Sequence, residues 1–327
     1  MKTALAIMTV AIVSVLAGCE SGAGIKEPLI KNKELLTVDW QDGRSLEYKF
    51  VSRREITIDW DPAGKLSQSD KRTPDKSAES METVVAYTPI KIDPYGLTTI
   101  EATCKSVKVA RSKGPRKDAV EHLAGKTFTF TVGPSGQIED YSQLDELVKE
   151  VGKKAFLPDT DRGRIKEPDM IGDFVATQWF LWDSVSSLKK PSKGVAIGQS
   201  WNSKLSVPSP MVMRKAREVT YHLDEIRRSE KGRLAVISST YKIAETVPQS
   251  WPIHYSGSFQ MKGTFGFLSG YKLLSLEGKG EELFNIEAGR TEKYNQQYHM
   301  QLQASIPMGI SIKPMITIEQ NLTMELK

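Results

Sequence analysis

The side chains that could carry acid–base or metal chemistry are spread thinly along the sequence. The four histidines are His122, His222, His254 and His299. They are scattered, with no second ligand type at the spacing of a metal site. Asp159 and Asp161 have the spacing of the first calcium ligands in a helix–loop–helix site, but Arg164 replaces the required glycine and Met170 the closing glutamate. The sequence therefore predicts an acidic loop there, and no metal or cofactor.

Paired carboxylates are a second candidate, because two of them can act as general acid and general base. Asp59 and Asp61 flank Trp60, and alternate residues of a strand share one face. Next to other charged residues, this pattern favours an exposed strand end over a catalytic pair. The sequence also lacks the glycine-rich and nucleophile-elbow motifs of common enzymes. We therefore predict no enzyme activity and no catalytic residue.

Cys19 has the most specific chemistry in the chain. Lys2 precedes an apolar segment, residues 4–15, and the small residues Ala17 and Gly18 come directly before the cysteine. This is the layout of a secretory signal, and it is too short to span a bilayer. Leu16-Ala17-Gly18-Cys19 resembles the lipobox of bacterial lipoproteins. The resemblance implies that residues 1–18 are a signal peptide and that the Cys19 thiol receives a diacylglyceryl group and becomes the first mature residue.

The same resemblance implies where the protein is held. Each methylene buried in a membrane contributes about 0.8 kcal/mol, so two or three acyl chains make release very slow. In enteric lipoproteins an aspartate after the cysteine favours the inner membrane, whereas this chain has Glu20, which implies the outer membrane. We therefore expect a lipidated tether at 19–36, a body outside the cytoplasm, a membrane partner through the acyl chains on Cys19, and no nucleic-acid partner.

The composition is that of a globular protein with a sizeable core. The 327 residues are 39% hydrophobic and 26% charged, with a formal net charge of +5. Cys104 is the second of two cysteines. Because the Cys19 sulfur would be consumed as a thioether, no internal disulfide is expected, and Cys104 is predicted to be a small buried apolar residue.

Strict alternation of apolar and polar residues is the clearest structural signal, because successive side chains of a strand point to opposite faces. It extends over residues 46–60, 294–306 and 316–326. Thirteen residues at 3.3 Å each span about 43 Å, which is far beyond the usual strand of about five or six residues. Strands of this length are typical of large curved sheets.

Shorter segments follow the same period with interruptions. Residues 128–132 and 259–267 alternate, and a glycine-containing turn follows each. The alternation changes phase between Cys104 and Val107. A β-bulge near Lys105 would account for that change.

Two segments have helical spacing instead, 143–156 and the very apolar 169–188. Strands, two helices and strands again predict an α+β fold, a long-stranded curved antiparallel β-sheet with two central helices. The β-rich body is predicted to cover 37–327. A faint duplication suggests two related halves, about 37–156 and 195–327, joined by the helical region.

Two helices are few to cover the apolar face of strands about 40 Å long, so part of that face is predicted to line a hollow. The layout is similar to the lipoprotein-carrier and lipid-binding half-barrel folds of the periplasm, an architectural similarity without a shared motif. It suggests a binding protein for an apolar ligand such as an acyl chain. The residues predicted to contact the ligand are Met170, Phe174, Trp179, Trp182, Phe265 and Phe267.

A structural or assembly protein of the envelope is the alternative. It would bind another envelope protein through an exposed face or sheet edge. A cavity over the sheet would favour the ligand-binding protein. A filled core with an exposed aromatic patch would favour the assembly protein.

Overall fold

Most of the strand residues belong to one antiparallel sheet in a computed structural model of the protein. The structure describes residues 33–41, 43–65, 73–114, 116–156, 164–248, 251–255, 257–307 and 311–327. The predicted signal peptide, Cys19 and the calcium-like aspartates lie outside these residues. Residues 32–327 form one compact unit, and its hydrophobic core is built from residues between Leu36 and Met324.

The first half of the body is mostly strand, followed by the helices. Its strands are β1 (Lys33–Glu34), β2 (Leu46–Asp59), β3 (Asp75–Ile92), β4 (Thr98–Arg111), β5 (Thr127–Val132) and β6 (Ile138–Asp140). The middle of the chain contains α1 (Ser142–Gly152), β7 (Arg164–Lys166), α2 (Ile171–Phe180) and α3 (Asp183–Ser186). Short 3-10 helices cover Ala119–Leu123, Lys153–Ala155 and Pro191–Lys193.

The second half returns to strands. They are β8 (Val195–Ala196), β9 (Ser200–Ser206), β10 (Ala216–Ser229), β11 (Gly232–Ile243), β12 (Phe259–Met261), β13 (Ser269–Asn285), β14 (Arg290–Ser305) and β15 (Met315–Leu326). A single helical turn, α4 (Thr264–Phe267), separates β12 from β13.

Eleven strands form one large sheet in the order β6-β5-β4-β3-β2-β15-β14-β13-β11-β10-β9. The sheet is curved and does not close on itself. Strands β2 to β6 form one meander, β9, β10, β11, β13, β14 and β15 form another, and the pairing of β15 with β2 joins them. The described strands also include two small pairs, β1 with β8 and β7 with β12.

The two ends of the sheet differ in what they carry. We call the end of the sheet where β2 begins and β3 turns into β4 the hairpin end. Leu46, the first residue of β2, pairs there with Tyr87 near the end of β3. The chain also enters the body there, since Glu34 binds Arg233 at the start of β11. At the opposite end, β9 finishes and β10 begins, and Ser206 pairs with Ala216. We call it the pocket end, after the pocket described below.

The predicted α+β fold is confirmed. Strand β2 alternates between buried and more exposed residues along its length, as do β14 and β15. The bulge is also where the phase change predicts it. Val84 pairs with Ser106 and Val85 with Cys104, so Lys105 is the extra residue.

The second predicted helix is broken in two. Its pattern predicts a continuous helix over 169–188, but α2 ends at Phe180 and α3 begins at Asp183. Trp182 leaves the helical conformation with φ −131° and ψ 1°. Its indole packs edge-on against Trp40 and Tyr87. Packing in the core therefore overrides the helical period.

The segment 259–267 also differs from its pattern. Alternation predicts a strand, whereas the chain forms the short β12 and then the α4 turn. Gly263, at φ +71°, starts that turn, and this conformation suits glycine because it has no Cβ. Gly266 lies so close to the backbone of Met261 that a side chain there would clash.

A buried carboxylate fixes α2 to the middle of the sheet. Asp173 accepts hydrogen bonds from Ser52 at 2.8 Å, Arg54 at 2.8 Å and Gln320 at 2.9 Å. Cross-strand pairing puts Glu79, Arg54, Gln320 and Tyr298 in one row across four strands. The helix therefore covers this polar row on the buried face of the sheet. No helix among the described residues is long and apolar enough to cross a membrane.

Candidate ligand pocket

A pocket opens at the pocket end of the sheet, between two connecting segments. The β9–β10 connection, Val207–Lys215, forms one wall, and Trp251–Tyr255 forms the other. Gly172, in the first turn of α2, lies between them. The cavity volume is about 210 Å³, which is below the roughly 300–1,000 Å³ of drug-sized sites. This size suits a small apolar molecule or one end of a longer chain.

The pocket walls are largely apolar. Val207 and Met211 are buried, while Ile253 is 49% exposed at the rim. Met213, Trp251 and Phe259 complete the apolar lining. Thioether side chains are flexible and polarisable, so they adapt to ligands of different shape. These walls are suited to an apolar ligand that enters from solvent past Ile253.

The floor of the pocket is an ion pair. The Lys166 ammonium lies 3.1 Å from Asp169, and both side chains are 2% exposed. The Tyr255 hydroxyl donates to Asp169 at 2.5 Å, and the ammonium lies 4.0 Å from the centre of the Tyr255 ring. Burial lowers the pKa of Lys166. Burial alone would raise the pKa of Asp169, but the charge of Lys166 holds it below its usual value.

The imidazole of His254 also lies at the pocket floor. Its Nδ1 is buried and has no hydrogen-bond partner among the described residues. Burial lowers the pKa of His254 to about 4, so the imidazole is neutral at pH 7. A glycine at position 152 is needed here, since a Cβ there would lie 2.1 Å from the His254 carbonyl oxygen. A neutral imidazole can exchange one hydrogen bond with a ligand.

The floor is fixed by the start of α2. The Met170 amide donates to Asp118 at 3.3 Å and the Ile171 amide to Asp169 at 3.0 Å. Carboxylates stabilise a helix start because its free amides and dipole favour negative charge. Burial and the charge of Asp169 raise the pKa of Asp118.

Buried ion pairs continue from the floor to the polar row of the sheet. Arg111 binds both Asp118 and Glu79. Glu79 in turn binds Arg54, which pairs with Asp173 at 2.8 Å. Burial lowers the pKa of Arg54, but Asp173 and Glu79 more than offset this, so the pKa is raised. The pocket floor is thereby linked to the sheet by paired charges.

Three of the six residues predicted to bind ligand lie in the core. Met170 and Phe174 are fully buried and Trp182 is 3% exposed. The ring of Phe174 packs against Phe128 at 6.3 Å, and that of Trp182 against Phe130 at 5.5 Å. The part of the concave face under α2 is therefore packed with side chains.

The other three predicted residues are dispersed. Trp179 packs edge-on against Tyr141. Phe265 lines a separate groove beside Arg111 and Lys262, and Phe267 is 45% exposed. The pocket between the two connecting segments is lined by other residues.

Sequence reasoning missed the pocket because its walls are loops. A signal was present in the sequences VPSPMVMRK (207–215) and WPIHY (251–255), which are rich in apolar residues yet contain prolines that interrupt regular structure. Apolar residues in a loop need another surface to cover them.

As for metals, the described residues contain no group of three histidine, cysteine or acidic side chains that could hold an ion.

Comparison with known sequences gives one family. The family model of DUF6263, a family of unknown function, matches residues 78–289. That span contains the helices and both wall segments of the pocket. No curated protein matches the sequence.

Two solved structures are distantly similar. One shows lipid–protein interactions in lipovitellin, with a TM-score of 0.41 and 8% identity over 88% of this chain. The match covers 25% of the lipovitellin chain, so this chain spans a quarter of its length. The other is a putative exported protein with a YmcC-like fold from Bacteroides fragilis NCTC 9343. It has a TM-score of 0.22 and 10% identity, over 90% of this chain and 99% of that one.

Proposed function

We propose that this chain, which belongs to the DUF6263 family of unknown function, is a lipid-anchored envelope protein whose body binds an apolar ligand. The ligand class is an acyl chain or a molecule of similar polarity. The pocket between Val207–Lys215 and Trp251–Tyr255 is the binding site, and the protein catalyses no reaction on the ligand.

The apolar lining of a solvent-accessible pocket is the observation that carries this proposal. Met211, Met213, Trp251 and Phe259 converge from separate segments on one cavity. Ligand pockets combine such walls with a few fixed polar groups, and here His254 at the floor has an unpartnered nitrogen. The proposal retains the binding protein predicted from the sequence. Its binding site, however, is the pocket at the end of the sheet and not the concave face.

The lipid anchor is supported by the sequence at 1–19. A single lysine, an apolar segment and Leu16-Ala17-Gly18-Cys19 together match a lipoprotein signal. Acylation of Cys19 would hold the body at a membrane, and Glu20 favours the outer membrane. The body then faces the periplasm or the cell exterior.

The pairing of the charges supports binding over catalysis. The Lys166 ammonium is already engaged by Asp169 and by the Tyr255 ring. Asp169 also accepts the Tyr255 hydroxyl and the Ile171 amide. Groups held in this way position the floor of the pocket, and neither Lys166 nor Asp169 is free to act as a nucleophile.

The second candidate is the assembly protein that binds another envelope protein. It is favoured by the packed concave face, where Phe174 and Trp182 are buried. Several large apolar side chains are also exposed, such as Tyr95 at 84%. A protein partner would cover such a surface.

Native mass spectrometry of the chain that starts at residue 20 tests the ligand. We expect a stoichiometric adduct that solvent extraction releases as an acyl lipid. Ile253→Arg places a charge at the pocket rim and should remove at least nine-tenths of the adduct. Ile197→Arg is the matched control, because Ile197 is 46% exposed and lies away from the pocket. An apo mass for the unmodified chain, or equal loss in both variants, would refute the proposal.

A further inference from the structure

The end of β3 and the turn that leads to β4 carry four exposed apolar side chains. Ile90 is 51% exposed, Ile92 41%, Tyr95 84% and Leu97 39%. We call these four residues the apolar tip. Soluble surfaces carry single exposed apolar residues as a rule, whereas a contiguous group marks an interaction site.

The apolar tip projects beyond the neighbouring strand. Leu46, the first residue of β2, pairs with Tyr87, so the last five residues of β3 extend past it by about 16 Å. Ile90 is an extra residue in β3, because Pro89 pairs with Ile100 and Lys91 with Thr99. Such a bulge changes the twist of the strand and re-aims its side chains.

The turn makes several of its backbone hydrogen bonds within itself. The Asp93 carboxylate accepts hydrogen bonds from the amides of Tyr95 and Leu97, both at 2.8 Å. The Asp93 amide donates to the Leu97 carbonyl at 2.9 Å, and Gly96 adopts φ +85°. Because these backbone groups are paired within the turn, they can leave water at a low polar cost.

The position of the apolar tip indicates its partner. It lies at the hairpin end of the sheet, where the chain enters the body at Lys33. Only 13 residues separate Cys19 from Lys33, which limits the distance between them to about 50 Å. Leu35, at 56% exposure, directly follows Glu34 at this end. A membrane that holds Cys19 is therefore within reach of this end.

We infer that the apolar tip inserts into the interfacial region of a lipid bilayer. This inference rests on the proposed anchor for its membrane, but the contact itself requires no acyl chain. Tyr95 suits the headgroup level, where its ring is buried and its hydroxyl stays wet. Ile92 and Leu97 flank it and enter the acyl boundary. The tip and the anchor together hold the body with its pocket pointing away from the membrane.

Flotation with lipid vesicles tests the inference on the chain that starts at residue 20, whose core lies within the described body. The vesicles contain phosphatidylethanolamine and phosphatidylglycerol at three to one. We expect the chain to float with them and Ile92→Ser/Tyr95→Ser to reduce the bound fraction at least tenfold. Phe267→Ser/Leu274→Ser removes two exposed apolar residues at and near the start of β13, outside the pocket lining, and should float like the unmodified chain.

A fluorescent label distinguishes insertion from loose adsorption. An NBD group on Tyr95→Cys should shift its emission to the blue when vesicles are added, whereas NBD on Phe267→Cys should not. Circular dichroism shows whether each variant is folded. No flotation of a folded chain, or equal flotation of both double variants, would overturn the inference. Neither result depends on ligand in the pocket, so failure here and failure of the ligand proposal are separable.

Discussion

Two buried carboxyl groups, Asp183 at the start of α3 and Glu282 in β13, have unusually high pKa values. Burial raises the pKa of Asp183 to about 6, although Tyr221 and Ser203 donate hydrogen bonds to it. Burial also raises the pKa of Glu282 to about 7, although Thr291 donates a hydrogen bond to it. The folded state therefore keeps protons that the unfolded state releases, and these two groups lower the stability as the pH rises from about 4 to about 7.

His254 works in the opposite direction. Its pKa of about 4 lies below the value of 6.5 for a free side chain. The unfolded state binds a proton before the folded state does, so this group lowers the stability as the pH falls from about 6.5 to 4.

Glu282→Gln should remove about half of the stability loss at high pH, because the pKa shifts of Glu282 and Asp183 are similar in size. The amide has nearly the same shape and carries no charge at any pH. We expect the unfolding free energy of the unmodified chain to fall relative to the variant between pH 5 and pH 8, by on the order of 3 kcal/mol. Urea unfolding at both pH values measures this. Glu281→Gln, on the exposed neighbouring position, is the control, and parallel pH curves for all three chains would refute the pKa assignment.

At the scale of elements, α2 connects the sheet to the pocket. Its first turn is held by Asp118 and Asp169, and Asp173 binds the polar row of the sheet. The same helix therefore covers the concave face and supports the pocket floor. The buried ion pair between Asp173 of this helix and Arg54 costs desolvation energy. The pair therefore fixes the position of the helix more than it adds to folding stability.

Asp173→Ala should destabilise the body strongly. Removing one partner of a buried pair leaves Arg54 short of a hydrogen-bond acceptor, at a cost of roughly 3–5 kcal/mol. Asp145→Ala removes an exposed pair with Lys149 on α1 and should cost less than about 1 kcal/mol. Urea unfolding at pH 7 compares the two. Equal small effects would show that Arg54 finds other partners.

The long strands were predictable because one of their faces is buried, which imposes a period of two over 14 residues of β2. The start of β3 was not predictable, since residues 75–80 are largely exposed and show no alternation of buried and exposed side chains. The break at Trp182 depends on rings from β3 and β5, which lie far away in sequence. The pocket is formed by loops, and the pairing of Lys166 with Asp169 and Tyr255 becomes visible only when distant segments meet.

At the scale of the whole body, the two ends of the sheet have separate roles in this account. The apolar tip lies at the hairpin end and the ligand pocket at the other, about 45 Å away along β2. This arrangement presents the pocket to the aqueous phase while the opposite end contacts lipid. A ligand would then enter from solvent or from a partner, and not directly from the membrane beneath the protein.

Photo-crosslinking with a fatty acid that carries a diazirine tests the central claim most directly. The probe is added to the full chain in isolated outer membranes, irradiated, and the labelled peptides are identified by mass spectrometry. The account predicts labels within 207–215 and 251–255 that unlabelled fatty acid displaces and Ile253→Arg abolishes. Labels on α2 peptides or on the apolar tip alone, or labels that no competitor displaces, would contradict it.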